Sequence, residues 1–137
     1  MNYLLDANAC IALINEKPPA VRGKFKKATD GGGQVFVSSI ALFELWYGVA
    51  KSSRREFNQK RLEAFLAGPV TPLAFEDEDA EIAGAIRADL ESFGKPTRAY
   101  DLLIAGQAMR NKLVLITSNL SEFARIKALA WADWGKP

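Results

Sequence analysis

The chain has 137 residues, 49% of them hydrophobic and 25% charged, with a net charge of only +2 and a single cysteine. These totals predict one globular domain in a reducing cytoplasm, without disulfides, and the net charge alone does not indicate a nucleic-acid binder. No apolar run approaches the roughly 20 residues that span a bilayer, and the N-terminus does not resemble a signal peptide. Because histidine is absent, Ser-His-Asp and Cys-His hydrolases are excluded, and any hydrolysis would have to use carboxylates and a hard metal ion.

The first third of the chain predicts a β-α-α-β arrangement. Residues 2–5 form a short apolar strand, and residues 7–15 form a helix that two prolines end. A second helix, over about residues 20–29, leads into three consecutive glycines, and an apolar strand over residues 34–38 follows.

The rest of the chain alternates helices with short strands in the same way. Ser39 is predicted to cap a strongly apolar helix. The other expected elements are an amphipathic helix over 54–68, a weak strand over 70–75, an amphipathic helix over 76–93, a helix that starts at Asp101, a buried strand over 113–117, a loop over 117–123 and a last strand over 129–131. This order predicts an α/β fold, a three-layer α/β/α sandwich with a central, mainly parallel sheet of four to five strands. Ligands of such sheets gather at the carboxyl ends of the strands.

Three acidic residues occupy positions where chemistry is expected. Asp6 ends the first strand and Asp101 precedes an apolar helical stretch, so each could equally be a helix N-cap. Glu44 helps to distinguish a structural helix cap from a metal ligand. It lies within a predicted apolar helix and has no cationic neighbour three or four residues away. A carboxylate there costs several kcal/mol unless a cation satisfies it, so we favour a metal ligand over an ion pair with a distant arginine.

Asn119 and Glu122 follow the last long apolar strand, in the loop where a fourth acid would complete such a cluster. A capping asparagine and a surface glutamate are the equally weighted alternative. Mg²⁺ and Mn²⁺ prefer oxygen ligands and retain several waters, so a loose set of acids and amides is sufficient. Four further residues are predicted to be packing residues, namely Cys10, Trp46, Trp131 and Trp134. The basic clusters over residues 17–27 and 51–61, like the acidic block over 76–81, are typical of solvated helix faces.

Four segments resemble, in order and spacing, the motifs of the PIN domain, and within it the VapC-type ribonuclease toxins: YLLDANACIALI, SSIALFELWYGV, YDLLIAGQA and TSNLSEF. The resemblance implies a single PIN domain over residues 1–137, with Asp6, Glu44 and Asp101 binding Mg²⁺ or Mn²⁺ and Asn8 as an auxiliary polar residue. It also implies metal-dependent hydrolysis of RNA phosphodiester bonds, often in transfer RNA anticodon loops, a VapB-like antitoxin that blocks the site, and a homodimer.

The chain departs from the family pattern at two places. Asn119 stands where many PIN domains have an aspartate, and we expect Glu122 to supply the missing charge or to orient a water molecule. Arg98 stands where these toxins usually have an Ile-Gly-like approach to the acid, and we expect it to contact a substrate phosphate. For the antitoxin groove, the hypothesis is an apolar wall made by four residues, Phe43, Trp46, Tyr47 and Phe65.

Three other functions compete with this interpretation. A haloacid-dehalogenase-like phosphatase also begins with a strand-end aspartate, but it needs a second aspartate where this chain has Asn8. A phospho-receiver needs an aspartate after its third strand, and residues 70–75 contain none. The remaining alternative is a catalytically degenerate PIN fold that only binds RNA, against which the intact Asp6, Glu44 and Asp101 argue.

Overall fold

Five short strands form one parallel sheet in a computed structural model that describes residues 1–137. The strands are β1 (Tyr3–Leu5), β2 (Val35–Ser38), β3 (Thr71–Leu73), β4 (Val114–Ile116) and β5 (Trp131–Ala132), in the order β3-β2-β1-β4-β5. The helices are α1 (Ala7–Asn15), α2 (Pro19–Asp30), α3 (Ser39–Lys51), α4 (Arg55–Leu66), α5 (Asp77–Ser92), α6 (Ala99–Arg110) and α7 (Leu120–Phe123). The predicted α/β architecture is confirmed.

The centre of the sheet is buried on both faces, which explains why its strands are continuous apolar runs. Leu4 and Leu5 on β1, Val37 on β2 and Leu115 on β4 are fully shielded from solvent. From β1 the chain builds β2 and β3 on one side, and it returns to build β4 and β5 on the other. The strand order therefore changes direction between β1 and β4, and in parallel sheets a crevice forms at the carboxyl ends of such strands.

Several predicted boundaries were wrong by a few residues. Helix α6 begins at Ala99, so Asp101 lies in its first turn and does not cap it. Ser38, not Ser39, caps α3 by accepting a hydrogen bond from the Ile40 nitrogen at 3.1 Å. Two adjacent serines at the end of a strand offer the same cap, and the sequence alone does not distinguish them. The loop over 117–123 contains the short helix α7, and the last strand is shifted to Trp131–Ala132.

Two of the four predicted packing residues are also placed differently. Cys10 and Trp134 are buried as expected, whereas Trp46 and Trp131 are exposed. None of the helices is both long and apolar enough to cross a lipid bilayer.

The acidic block at the start of α5 is not only a solvated face, because Asp79 is fully buried. Its carboxylate accepts hydrogen bonds from the Glu76 backbone nitrogen at 2.8 Å and from the Arg110 Nε at 2.6 Å. The first contact caps α5 and the second joins it to the end of α6. Asp79 therefore fixes the helix that carries Asp101, and removing one partner of such a buried pair is strongly destabilising.

Helices α5 and α6 also approach each other closely at Gly106. A Cβ atom at this position would lie 2.7 Å from the backbone nitrogen of Ala83. Only glycine fits there without displacing α5 from α6.

We expect Gly106→Ala to lower the free energy of unfolding by about 1–3 kcal/mol, because the added methyl group overpacks the contact with Ala83. Gly84→Ala on α5 is the matched control, since nothing lies within 4 Å of its Cβ position and alanine favours a helix by roughly 0.5–1 kcal/mol. Urea denaturation measures the free energy of unfolding of both variants. Equal effects of the two variants would contradict the close approach.

Candidate active site

Asp6 lies at the carboxyl end of the central strand, beside the end of β4. Leu5 pairs with Ile116, so the next residues, Asp6 and Thr117, are neighbours at the edge of the sheet. The buried carboxylate accepts hydrogen bonds from the Ala9 backbone nitrogen at 2.8 Å and from the Thr117 hydroxyl. Asp6 is thus the N-cap of α1, as the capping interpretation predicted, and it is also held rigidly at the crevice.

Thr117 is not among the residues that the sequence predicted for the site, yet it is buried together with Asp6. Its hydroxyl oxygen also accepts a hydrogen bond from the Asn119 backbone nitrogen at 3.0 Å. The sequence signal that could have identified Thr117 was a polar residue at the end of a predicted buried strand. The structure shows that this strand pairs with the strand before Asp6.

Glu44 and Asp101 approach the same crevice from two helices. Glu44 lies on α3, which follows β2, and its side chain is partly exposed. Asp101 lies in the first turn of α6, where the helix dipole favours a negative charge. The Asn119 amide nitrogen is 3.5 Å from an Asp101 carboxylate oxygen, so Asn119 borders the same group of side chains.

The electrostatics show that these acids act on one another. Burial raises the pKa of Asp6 above its ordinary value, and the negative charge of Asp101 raises it further. Burial also raises the pKa of Glu44, with added contributions from Asp101 and Asp6. Burial is the main cause that raises the pKa of Asp101, and the negative charge of Glu122 raises this pKa further. The four carboxylates therefore form one cluster, which we call the acid cluster (Asp6, Glu44, Asp101 and Glu122).

Arg98 is the basic residue that affects the pKa values of this cluster. Its Nε lies 4.0 Å from an Asp101 carboxylate oxygen, but 73% of its side chain is exposed, so the ion pair is weak. Its positive charge lowers the pKa values of Glu44 and Asp101 against the larger effect of burial. One arginine does not balance four acids, and neither Asp6 nor Glu44 forms an ion pair.

The cluster suits a hydrated divalent ion better than a bare one. No three acidic side chains are close enough together to enclose a single ion directly. Mg²⁺ usually keeps several waters and takes only one or two carboxylates, so this spacing is compatible with it. One carboxylate oxygen of Glu122 is buried without a hydrogen-bond partner, so it is an unsatisfied acceptor in the metal-free chain. The remaining predicted residue, Asn8, lies in the first turn of α1 and is exposed.

A concavity of about 230 Å³ lies between helices α1, α3 and α4, and its lining combines hydrophobic residues with Glu44 and Arg61. Its apolar lining residues are Ile11, Ile14, Leu45, Val49 and Leu62. None of the four aromatic residues of the predicted groove wall lines it. Phe43, Trp46 and Tyr47 are three and four residues apart and are exposed on one face of α3, whereas Phe65 lies on α4 and lines a different concavity.

The comparisons with known proteins agree with this geometry. The PIN domain family profile matches residues 3–129. The chain belongs to the PIN domain family. This PIN domain is 38% identical over 134 residues to the tRNA(fMet)-specific endonuclease VapC of Salmonella typhimurium and 36% identical to that of Shigella flexneri, in each case over 98% of both chains. A solved structure, VapBC2 of Rickettsia felis bound to a DNA fragment from its promoter, matches with a TM-score of 0.91 and 34% identity, over 98% of this chain and 99% of that one.

These matches confirm the resemblance drawn from the four sequence motifs. Within the PIN family the chain falls among the VapC proteins, whose solved structures superpose on it almost end to end. The predicted function class, an endoribonuclease toxin of a type II toxin–antitoxin pair, is confirmed with it.

The raised pKa values predict how pH affects the metal-free PIN domain. A carboxyl group whose pKa is raised by folding disfavours the folded state once pH exceeds that pKa, so its cost is largest at neutral pH and disappears in acid. We therefore expect Asp6→Asn to raise the midpoint of thermal unfolding at pH 7 by a few degrees in EDTA, since asparagine retains the N-cap. The gain should shrink as pH falls through the pKa of Asp6. Asp89→Asn on the exposed face of α5 is the control, and a lower midpoint for Asp6→Asn at pH 7 would contradict the electrostatic argument.

Proposed function

We propose that this chain hydrolyses phosphodiester bonds of a structured RNA in a Mg²⁺- or Mn²⁺-dependent reaction, as the toxin of a VapBC-like pair. The observation that carries the proposal is the acid cluster at the carboxyl ends of β1 and β4, with Arg98 as its nearby cation. Transfer RNA is the proposed substrate, because the relatives from Salmonella and Shigella are named as tRNA(fMet)-specific endonucleases. A single PIN domain over residues 1–137 would carry the whole activity.

Asp6, Glu44 and Asp101 would hold the ion, directly or through its waters. A bound divalent ion lowers the pKa of a coordinated water and neutralises charge that develops at the phosphate. Asp6 is suited to this role because Ala9 and Thr117 fix its carboxylate before any ion binds. Preformed ligands of this kind need little rearrangement on binding.

Asn119 and Glu122 would act around the ion. The Asn119 amide nitrogen, 3.5 Å from Asp101, would keep that carboxylate turned towards the crevice. The free Glu122 oxygen would accept a hydrogen bond from the attacking water and so orient it towards the phosphorus atom. Arg98 is exposed beside the cluster, where its guanidinium could donate to a non-bridging phosphate oxygen.

Two of the three earlier alternatives are excluded, and the third is testable. The phosphatase and phospho-receiver interpretations are wrong, because the chain belongs to the PIN family. A PIN fold that binds RNA without cutting it is distinguished by a cleavage assay.

We predict that the purified chain cuts transfer RNA with Mg²⁺ or Mn²⁺ and stops when EDTA is added. Asp6→Asn, which keeps the N-cap, should lower kcat by roughly 100-fold or more, because it removes a charged oxygen ligand. Asp89→Asn should cut normally. Gel analysis of end-labelled RNA gives the rates, and full metal-dependent cleavage by Asp6→Asn would show that the site is assigned wrongly.

Arg98→Ala should raise KM for RNA more than it lowers kcat, since the proposed contact is with the substrate phosphate. Because Arg98 lowers the pKa values of Glu44 and Asp101, its removal should also move the acidic limb of the pH–rate profile to higher pH. Arg87→Ala on α5 is the matched control. An unchanged KM and an unchanged acidic limb would remove Arg98 from the site.

We further propose that the concave surface beside Glu44 receives the C-terminal segment of a VapB-like antitoxin. Its five hydrophobic residues, with Glu44 and Arg61 in the same lining, suit an amphipathic segment that carries charged groups beside its apolar side chains. Homodimer formation, implied by the family resemblance, stays a prediction.

For the antitoxin we expect Ile11→Asp to weaken binding strongly, because Ile11 lines that surface and is 44% exposed, so the fold tolerates the change. Trp46→Asp, on the outer side of α3, should have a smaller effect. Titration calorimetry with a VapB-like antitoxin measures the binding of both variants. A larger loss for Trp46→Asp would restore the aromatic-wall hypothesis.

A further inference from the structure

Two exposed aromatic rings, Phe43 and Tyr100, touch each other beside the acid cluster. Their ring centroids are 5.6 Å apart and their planes meet at 73°, an edge-to-face contact. Phe43 comes from α3 and Tyr100 from α6, and each directly precedes a cluster acid, Glu44 and Asp101 respectively. We call this pair, which lies one residue from an acid on each of the two helices that carry Glu44 and Asp101, the rim of the site.

Packing does not account for this pair. Phe43 is 55% exposed and Tyr100 is 44% exposed, so much of each ring remains in water. Single exposed apolar residues are ordinary, but two exposed rings in contact form a continuous apolar surface on which the face of either ring can receive a flat group. The edge-to-face contact also restrains both rings, which prepares them to receive a third ring.

The surroundings of the rings narrow the choice of ligand. Arg98, two residues before Tyr100, supplies the nearby positive charge. A ligand that suits the rim thus has a flat ring for Phe43 and Tyr100 and a phosphate for the arginine and the ion site. An unpaired nucleotide has both groups, and its base stacks on aromatic side chains whatever its sequence.

We propose that Phe43 and Tyr100 form a stacking platform for the unpaired base of a nucleotide that adjoins the cleaved phosphate. The inference rests on the proposed RNA cleavage and adds to it the way the substrate strand is held. Stacking would pull the base out of its loop and so place the phosphodiester over the acid cluster.

A protein partner is the less favoured occupant of this surface. Neither ring lines the concave surface proposed for the antitoxin. Trp46 and Tyr47 extend the exposed aromatic surface along α3, so a second copy of the chain is the alternative occupant, and the test below includes the oligomeric state of every variant.

The test measures RNA binding with cleavage blocked. Every variant is made in the Asp6→Asn background, and the probe is a transfer RNA anticodon stem–loop with a fluorescent label, together with a set in which each loop nucleotide in turn is abasic. We expect Tyr100→Ala to weaken binding of the intact stem–loop roughly 5- to 100-fold and Tyr100→Phe to leave it within about twofold. On the RNA that lacks the stacked base, Tyr100→Ala should have almost no further effect, since the two losses remove the same interaction.

Phe43→Leu provides a second variant, because leucine keeps an apolar side chain but removes the ring. It should show the same dependence on the same abasic position, and thermal unfolding monitors the fold of every variant. The inference is overturned if both Tyr100→Ala and Phe43→Leu bind the intact stem–loop normally, or if they weaken all the abasic RNAs as much as the intact one. It is also overturned if they alter only dimer mass or antitoxin binding.

A parallel cleavage assay separates the two proposals. If the chain with Asp6 intact cuts RNA and the Tyr100→Ala form cuts it equally well, the platform is wrong and the ribonuclease proposal stands. If the parent chain neither binds nor cuts RNA, both proposals fail.

Discussion

The cost of charging the buried, mutually repelling carboxylates of the acid cluster is the constraint on which the rest of the structure depends. Burial raises the pKa values of Asp6, Glu44 and Asp101, and the charges of neighbouring acids raise them further. A fold selected only for stability would separate or pair these groups, because each unbalanced charge near the interior costs free energy. In the proposed mechanism a doubly charged ion would relieve the repulsion, and the cost in the metal-free chain would then contribute to the ion's binding energy.

The scaffold opposes this repulsion with rigid contacts placed outside the cluster. The Ala9 nitrogen and the Thr117 hydroxyl hold Asp6. On the other side of the site, the buried Asp79–Arg110 pair and the close approach at Gly106 hold α6, which carries Asp101. Fixing the acids on strand ends and helix starts keeps the carboxylates near one another at a spacing that a hydrated ion can bridge.

The sequence predicted the fold class and the candidate acids because both follow from local patterns. Apolar runs that alternate with helices predict a parallel sheet, and Glu44 on an apolar helix predicts a partner of opposite charge. The burial of Asp79 could not be predicted in the same way, since its partner Arg110 lies 31 residues further along the chain. The contact between Phe43 and Tyr100 depends likewise on how α3 and α6 pack, and the choice of Ser38 over Ser39 depends on where β2 ends.

Direct location of the ion tests the central claim most directly. A crystal of the chain soaked in Mn²⁺ and measured at the manganese absorption edge should show an anomalous peak in the crevice at the ends of β1 and β4. The account predicts that oxygens of Asp6, Glu44 and Asp101 surround this peak, directly or through one water. A well-ordered crevice with no peak, or manganese held only by the exposed acids at the start of α5, would contradict it.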